Sequence, residues 1–138
     1  MAYDLTTGDG DSALDERLSN ELDRHNFAAV GHDDLRELTV KVEDDGELVA
    51  GLSGWTWGTC AGIGMVWVRE ADRAGGWGAR LLAAAEEAAR ERGCRQVLVS
   101  SFTFQAPEFY ARHGYTEFAR SPDLPVEGEA DVHFLKLL

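Results

Sequence analysis

Apolar positions fall into a succession of patterns along this 138-residue chain, and each pattern predicts an element. Between Ser12 and about Asn26, Leu14, Leu18 and Leu22 share one helical face, with Ser12 placed to cap the helix and Asp15 and Glu16 in its first turn. Asp33-Asp34 ends that pattern. From Leu35 to Val42 apolar and polar residues alternate, as in a strand with one wet face, and Glu43-Asp44-Asp45-Gly46 is a hairpin turn leading into a partner strand, Glu47 to Trp57. Gly58-Thr59 predicts another turn. Cys60 to Val68 is apolar at both parities, as expected of a central strand. Gly62 and Gly64 interrupt it, and glycine inside a strand marks a bulge or a close approach by another group.

Helical spacing returns with Leu81, Leu82, Ala85, Ala88 and Ala89, running to about Arg92 before Gly93. A strongly apolar strand, Arg95 to Phe102, comes next, and strand, helix and strand in one sheet imply a right-handed parallel crossover. Pro107 suits the first turn of a short helix and Gly114 its end. Tyr115 to Ala119 predicts a strand, Ser121 to Glu129 a loop with two prolines, and Asp131 to Leu138 a last strand. The expectation is a single α/β domain over 1–138.

Between the central strand and the long helix lies Arg73-Ala74-Gly75-Gly76-Trp77-Gly78-Ala79, in which three of four consecutive residues are glycine. Backbone N–H groups can crowd together and point outward there, at a helix N-terminus that favours a bound phosphate. Two familiar phosphate loops do not fit. A dinucleotide fingerprint needs glycine where Leu81 stands, and a Walker loop needs a lysine, of which there is none between Lys41 and Lys136.

Composition narrows the partners. Against 25 acidic residues stand 13 basic ones, two of them lysine, for a formal net charge of −12, which repels nucleic acid and anionic membranes. No apolar run reaches the ~18 residues of a membrane-spanning helix, and the N-terminus lacks the order of a signal peptide. A soluble cytoplasmic protein is expected. Cys60 and Cys94 have no metal-like spacing and read as small core residues, so no metal is expected. Because the screening length falls from about 10 Å at ~0.1 M salt to about 3 Å at ~1 M, the acidic surface suits a salt-accumulating source; a cationic substrate is the competing explanation.

Arg73-x-x-Gly76-x-Gly78, followed by Leu81-Leu82, resembles the acetyl-CoA pyrophosphate loop of the GNAT superfamily of N-acetyltransferases. Ala106-x-x-Phe109-Tyr110-x-x-x-Gly114-Tyr115 resembles that superfamily's second signature, in the expected order and at the expected distance. The resemblance is specific over about Cys60 to Arg120, extends weakly over 35–138, and owes almost nothing to 1–34. It implies a mixed central sheet, with antiparallel N-terminal strands and a splayed parallel central pair, flanked by helices. It also implies acetyl-CoA as acyl donor, with backbone groups near Val66 and Val68 pairing with pantetheine. The pyrophosphate would rest on the amides of Ala74, Gly75, Gly76, Trp77, Gly78 and Ala79. Arg73 either adds a cationic contact or holds the turn. Thr103 stands at the cofactor-side position where the family usually carries asparagine, so the polar contact there is altered or lost.

The implied reaction is direct transfer to a small-molecule or peptide amine, with no covalent enzyme intermediate. Tyr110 matches the position that donates a proton or hydrogen bond to the departing sulfur; a phenol of pKa ~10 facing a thiol of ~8.5 suits the hydrogen bond. An alkylamine of pKa ~10.4 needs a base at pH 7. The glutamate that many relatives carry on the third strand is missing from Cys60–Val68. Glu70, Asp72, His113 and His133 are candidates, each with a simpler explanation as a surface or structural group. Trp67 is expected in the core, and Trp55 and Trp57 are candidate acceptor-site walls. A homodimer is common in such folds but has no mark in the sequence. The alternative is a CoA-binding regulatory or structural module without turnover.

Overall fold

In the computed structural model, residues 2–138 are described. The chain divides into two compact units, one ending at Asp33 and one running from Asp34 to Leu138. The first is built on helix α1 (Ser12–Val30). Its cap is Asp11 rather than Ser12: the Asp11 carboxylate accepts from the Leu14 N–H at 3.0 Å, so Ser12 is already helical. The helix also passes Asn26, because Phe27-Ala28-Ala29-Val30 contains no breaker, and it ends where Gly31 turns left-handed at φ 75°.

The second unit is a six-stranded sheet of order β1-β2-β3-β4-β6-β5. Strands β1 (Arg36–Asp44) and β2 (Glu47–Trp57) form the expected hairpin. Asp45 and Gly46 both have positive φ (50° and 81°), as a two-residue turn matched to strand twist requires. β3 (Cys60–Val68) runs antiparallel to β2 and parallel to β4 (Gln96–Phe102), joined to β4 through helix α2 (Trp77–Glu91). Helix α3 (Pro107–Arg112), β5 (Thr116–Pro122) and β6 (Ala130–Leu137) complete the unit. β5 continues through Ser121 and Pro122, expected in the loop, because both pair with β6. β6, last in the chain, lies inside the sheet between β4 and β5, so His133 is not on an edge strand.

Within this unit the core lies between α2, α3 and the sheet. Leu81, Leu82, Ala85 and Ala89 of α2 pack with Leu38, Leu52, Val97, Val99, Val132 and Phe134. Tyr110 and Tyr115 belong to the same cluster. Cys94 is buried, as expected, but Cys60 is only half-buried.

A buried charged residue, Glu86 on α2, interrupts this apolar layer and fixes the neighbourhood of α3. Its carboxylate accepts from the Tyr115 hydroxyl at 2.9 Å and from Lys136 Nζ at 2.9 Å. The same ammonium donates to the His113 carbonyl oxygen, at 2.9 Å. The last turn of α3 is thereby tied to α2 and β6, and burial with the nearby carboxylate keeps the Tyr115 phenol protonated as a donor.

Removing one partner of such a pair leaves a buried charge uncompensated. Lys136→Ala is therefore expected to destabilise the protein by ~3 kcal/mol in urea unfolding. Adding Glu86→Ala to it should cost less than the two single losses together. Additive losses would show that the pair is not coupled.

Candidate active site

β3 and β4 pair only from Cys60–Ile63 to Gln96–Val99. Beyond that point β3 stays with β2, to Ala50 opposite Val68, and β4 stays with β6, to Phe102 opposite Asp131. The facing edges of 64–68 and 100–102 therefore have no strand partner. Gly64 stands at the fork. Ser53 faces Met65 while Gly54 faces Ile63, so Gly64 is the extra residue of a β-bulge, which bends the strand that carries it. Gly62 answers to a different need: a Cβ there would sit 2.2 Å from the Trp55 ring, which lies over it.

The fork opens into a cavity of about 700 Å³, within the range of small-molecule sites. Val66 and Val68 of β3 line one wall and Val99, Ser100 and Ser101 of β4 another. Phe109, Tyr110 and His113 come from α3, and Arg73, Gly76, Gly78 and Ala79 from the glycine loop. Met65 and Trp67 also line it and are 70% and 47% exposed, so Trp67 is not a core residue. Their alternation with Val66 and Val68 was the available signal for a cleft wall, masked by their apolar character.

The glycine loop is held by its own hydrogen bonds. Arg69 pairs with Asp72 at 2.6 Å and with Glu47 at 3.2 Å, which makes Asp72 a structural group. Arg73 Nε donates to the Val68 carbonyl oxygen at 2.9 Å, so this side chain holds the turn while its guanidinium lies on the cleft. Gly76 is left-handed at φ 77°, with open space where a Cβ would be. The Arg80 amide bonds back to the Gly76 carbonyl at 3.2 Å, which leaves the amides of Trp77, Gly78 and Ala79 free at the N-terminus of α2. Gly78 permits a close contact, since a Cβ there would lie 3.1 Å from the Phe109 ring. Open space, free amides and an apolar slot beside two unpaired backbone edges fit a phosphorylated, amide-bearing cofactor.

Several expected residues are placed elsewhere. Ala74 and Gly75 lie in the turn and do not line the cavity, and the Trp77 side chain packs on the core under the Arg80 guanidinium, 4.1 Å from its ring centre. Thr103 faces away: its hydroxyl bonds to the Glu129 carboxylate and accepts from the Ala130 N–H at 3.0 Å, anchoring the chain before β6.

Tyr110 is 7% exposed, with its ring edge-on to Phe109 and Tyr115. Its hydroxyl makes no hydrogen bond within the protein and is not among the buried unpaired atoms, so it is free to donate into the cleft. Burial raises its pKa and keeps it protonated. Ser101, unremarkable in the sequence, sets the start of α3 by accepting from the Ala106 N–H at 3.2 Å. His113, a candidate base, lines the cleft, and its Nδ1 donates to the Phe109 carbonyl oxygen at 2.7 Å. Among the described residues no group of His, Cys, Asp and Glu is arranged to hold a metal.

Residues 4–115 match the acetyltransferase (GNAT) family. The chain belongs to the GNAT family of acetyltransferases. Among GNAT relatives, an acetyltransferase of Agrobacterium fabrum is 32% identical over 108 residues, covering 78% of this chain and 79% of that protein. A blasticidin-S acetyltransferase of Streptomyces morookaense is 44% identical over 91 residues, covering 63% of this chain and 65% of that protein, just short of two thirds of its length. A solved acetyltransferase from Bacillus cereus ATCC 14579 has a TM-score of 0.84 at 32% identity, covering 97% of this chain and 98% of that one. The mixed sheet with its antiparallel hairpin and single parallel pair is thus the GNAT fold.

Gly76→Val places a β-branched side chain in the left-handed region, which distorts the loop that presents the amides. Affinity for acetyl-CoA is expected to fall at least tenfold by calorimetry, with the far-ultraviolet circular dichroism spectrum retained. Unchanged affinity would remove the loop from the site.

Proposed function

We propose that this GNAT protein transfers an acetyl group from acetyl-CoA to a primary amine by direct transfer. The observation that carries the proposal is the fork itself: unpaired backbone of β3 faces a free, protonated Tyr110 hydroxyl across one cleft. Backbone groups at Val66, and what Arg73 leaves open at Val68, hold the amides of the pantetheine arm, and the amides of Trp77, Gly78 and Ala79 hold the pyrophosphate. Charge-assisted hydrogen bonds contribute roughly 1.5–3 kcal/mol each, so several suffice without a lysine. Bound there, acetyl-CoA supplies the thioester electrophile. Tyr110 donates a hydrogen bond toward the sulfur position; its raised pKa makes complete proton transfer less favourable and keeps the donor in place.

The acceptor is an amine carried by a small molecule, and the relative named for blasticidin S makes an antibiotic amine the first class to try. The net charge of −12 favours a cationic acceptor over nucleic acid or an anionic membrane surface. No described helix is long and apolar enough to cross a membrane. Diversion of Thr103 and the missing strand carboxylate favour the second reading, a CoA-binding module without turnover.

Calorimetric titration of acetyl-CoA in molar potassium chloride and at low salt, with NADH and ATP as controls, is expected to give selective micromolar binding. Thiol release in the presence of blasticidin S and simple alkylamines then separates enzyme from module. Tyr110→Phe should lower kcat at least tenfold with little change in cofactor affinity. Binding of acetyl-CoA with no thiol release would favour the module, and no binding by folded protein would sink both.

A further inference from the structure

A second cavity, of about 240 Å³, shares Ile63, Val99 and Ser100 with the first. Its other walls include Trp55, Phe118 and His133. Val132 and Phe134 point into the core beside Tyr110, so alternation along β6 turns His133 to the opposite face of the sheet. The two cavities thus meet at the fork from opposite faces.

His133 is oriented by its neighbours. Its Nε2 lies 3.0 Å from Ser121 Oγ and 4.0 Å from Asp131 Oδ2. With the proton on Nε2, the nitrogen that the Asp131 carboxylate faces, the ring donates to Ser121 and Nδ1 keeps its lone pair, with no partner in the protein. The other oxygen of Asp131, Oδ1, is buried without a hydrogen bond, so a carboxylate with one acceptor unmet lies beside the ring. The remaining surroundings are neutral or self-paired: Ser100 on β4, Trp55 on β2 and Phe118 on β5, with Glu117 and Arg120 of β5 paired to each other at 2.7 Å. A base held by one group and charge-balanced by another is the arrangement that proton abstraction requires.

We propose that His133 is the catalytic base, accepting through Nδ1 a proton from an amine whose organic part lies against Trp55 and Phe118. The assignment rests on the acetyl-transfer reading and supplies the base that β3 lacks. One ammonium proton passes to Nδ1, giving imidazolium beside Asp131, and returns to water after the reaction. The freed nitrogen lone pair forms the C–N bond as the thioester C–S bond breaks; the bonding pair goes to sulfur, and the second nitrogen proton ends on it as the thiol. Phe118 and Trp55 also desolvate the ammonium, which makes its proton easier to lose.

The test compares wild type, His133→Gln and Ser121→Ala, using acetyl-CoA with blasticidin S and phenethylamine as probe amines. His133→Gln should lower kcat about 100-fold at pH 7, with the Kd of acetyl-CoA unchanged and the deficit shrinking as rising pH delivers free amine. Ser121→Ala keeps the ring and should cost several-fold, so a folding failure of the first variant does not end the test. Independently of turnover, long-range proton–nitrogen NMR of the neutral ring should show the Nε2–H tautomer. An Nδ1–H tautomer, or undiminished kcat in His133→Gln across the pH range, would overturn the assignment. A wild type that binds no acetyl-CoA would instead overturn the acetyl-transfer reading and His133's role with it, a result visible before any variant is made.

Discussion

Unpaired backbone at the fork between β3 and β4 is the constraint around which this unit is built. A strand interior normally satisfies its N–H and C=O groups on both sides, and leaving an edge open inside a fold is costly unless water or a ligand completes it. Here β3 abandons β4 after Ile63, at the residue before the Gly64 bulge, while both strands keep their outer partners. The opening is therefore a property of the ladder rather than of mobile side chains. Arg73 occupies the Val68 carbonyl from the loop side and thereby joins the fork to the glycine turn.

The other wall of the cleft depends on an ion pair that does not itself line it. α3 is only six residues long and buries only Pro107 and Tyr110, yet it carries two aromatic residues of the cleft, Phe109 and Tyr110. Ser101 fixes its start and the Lys136 ammonium its end, with Glu86 beneath. Stability and function are coupled through that arrangement: a buried charge pair gives little net stability against an apolar substitute, but it selects one position for the helix. Gly78 completes the fit by letting Phe109 approach α2.

Most of the fold was legible because its elements announce themselves locally. β2 and β3 have the boundaries that alternation and turn glycines predict, and the glycine loop and the short helix stand where the spacing places them. Both meanings of a strand glycine are realised, a close approach at Gly62 and a bulge at Gly64, and nothing local tells them apart because the difference lies in the register with β2. Trp67 obeys the same limit: an apolar side chain on an open fork reads as core until the missing neighbour is known. Position in the motif puts Thr103 on the cofactor side, whereas its partners come from Glu129 and Ala130, far along the chain. His133 looked peripheral because chain order placed it last, while sheet order places it inside.

Occupation of the fork by acetyl-CoA is open to amide chemical-shift mapping of the uniformly labelled protein during acetyl-CoA titration. The largest shifts are expected at residues 65–68 and at Trp77, Gly78 and Ala79, with the β1–β2 turn at Asp45-Gly46 unmoved. Saturable binding with shifts confined to surfaces away from the fork would contradict it.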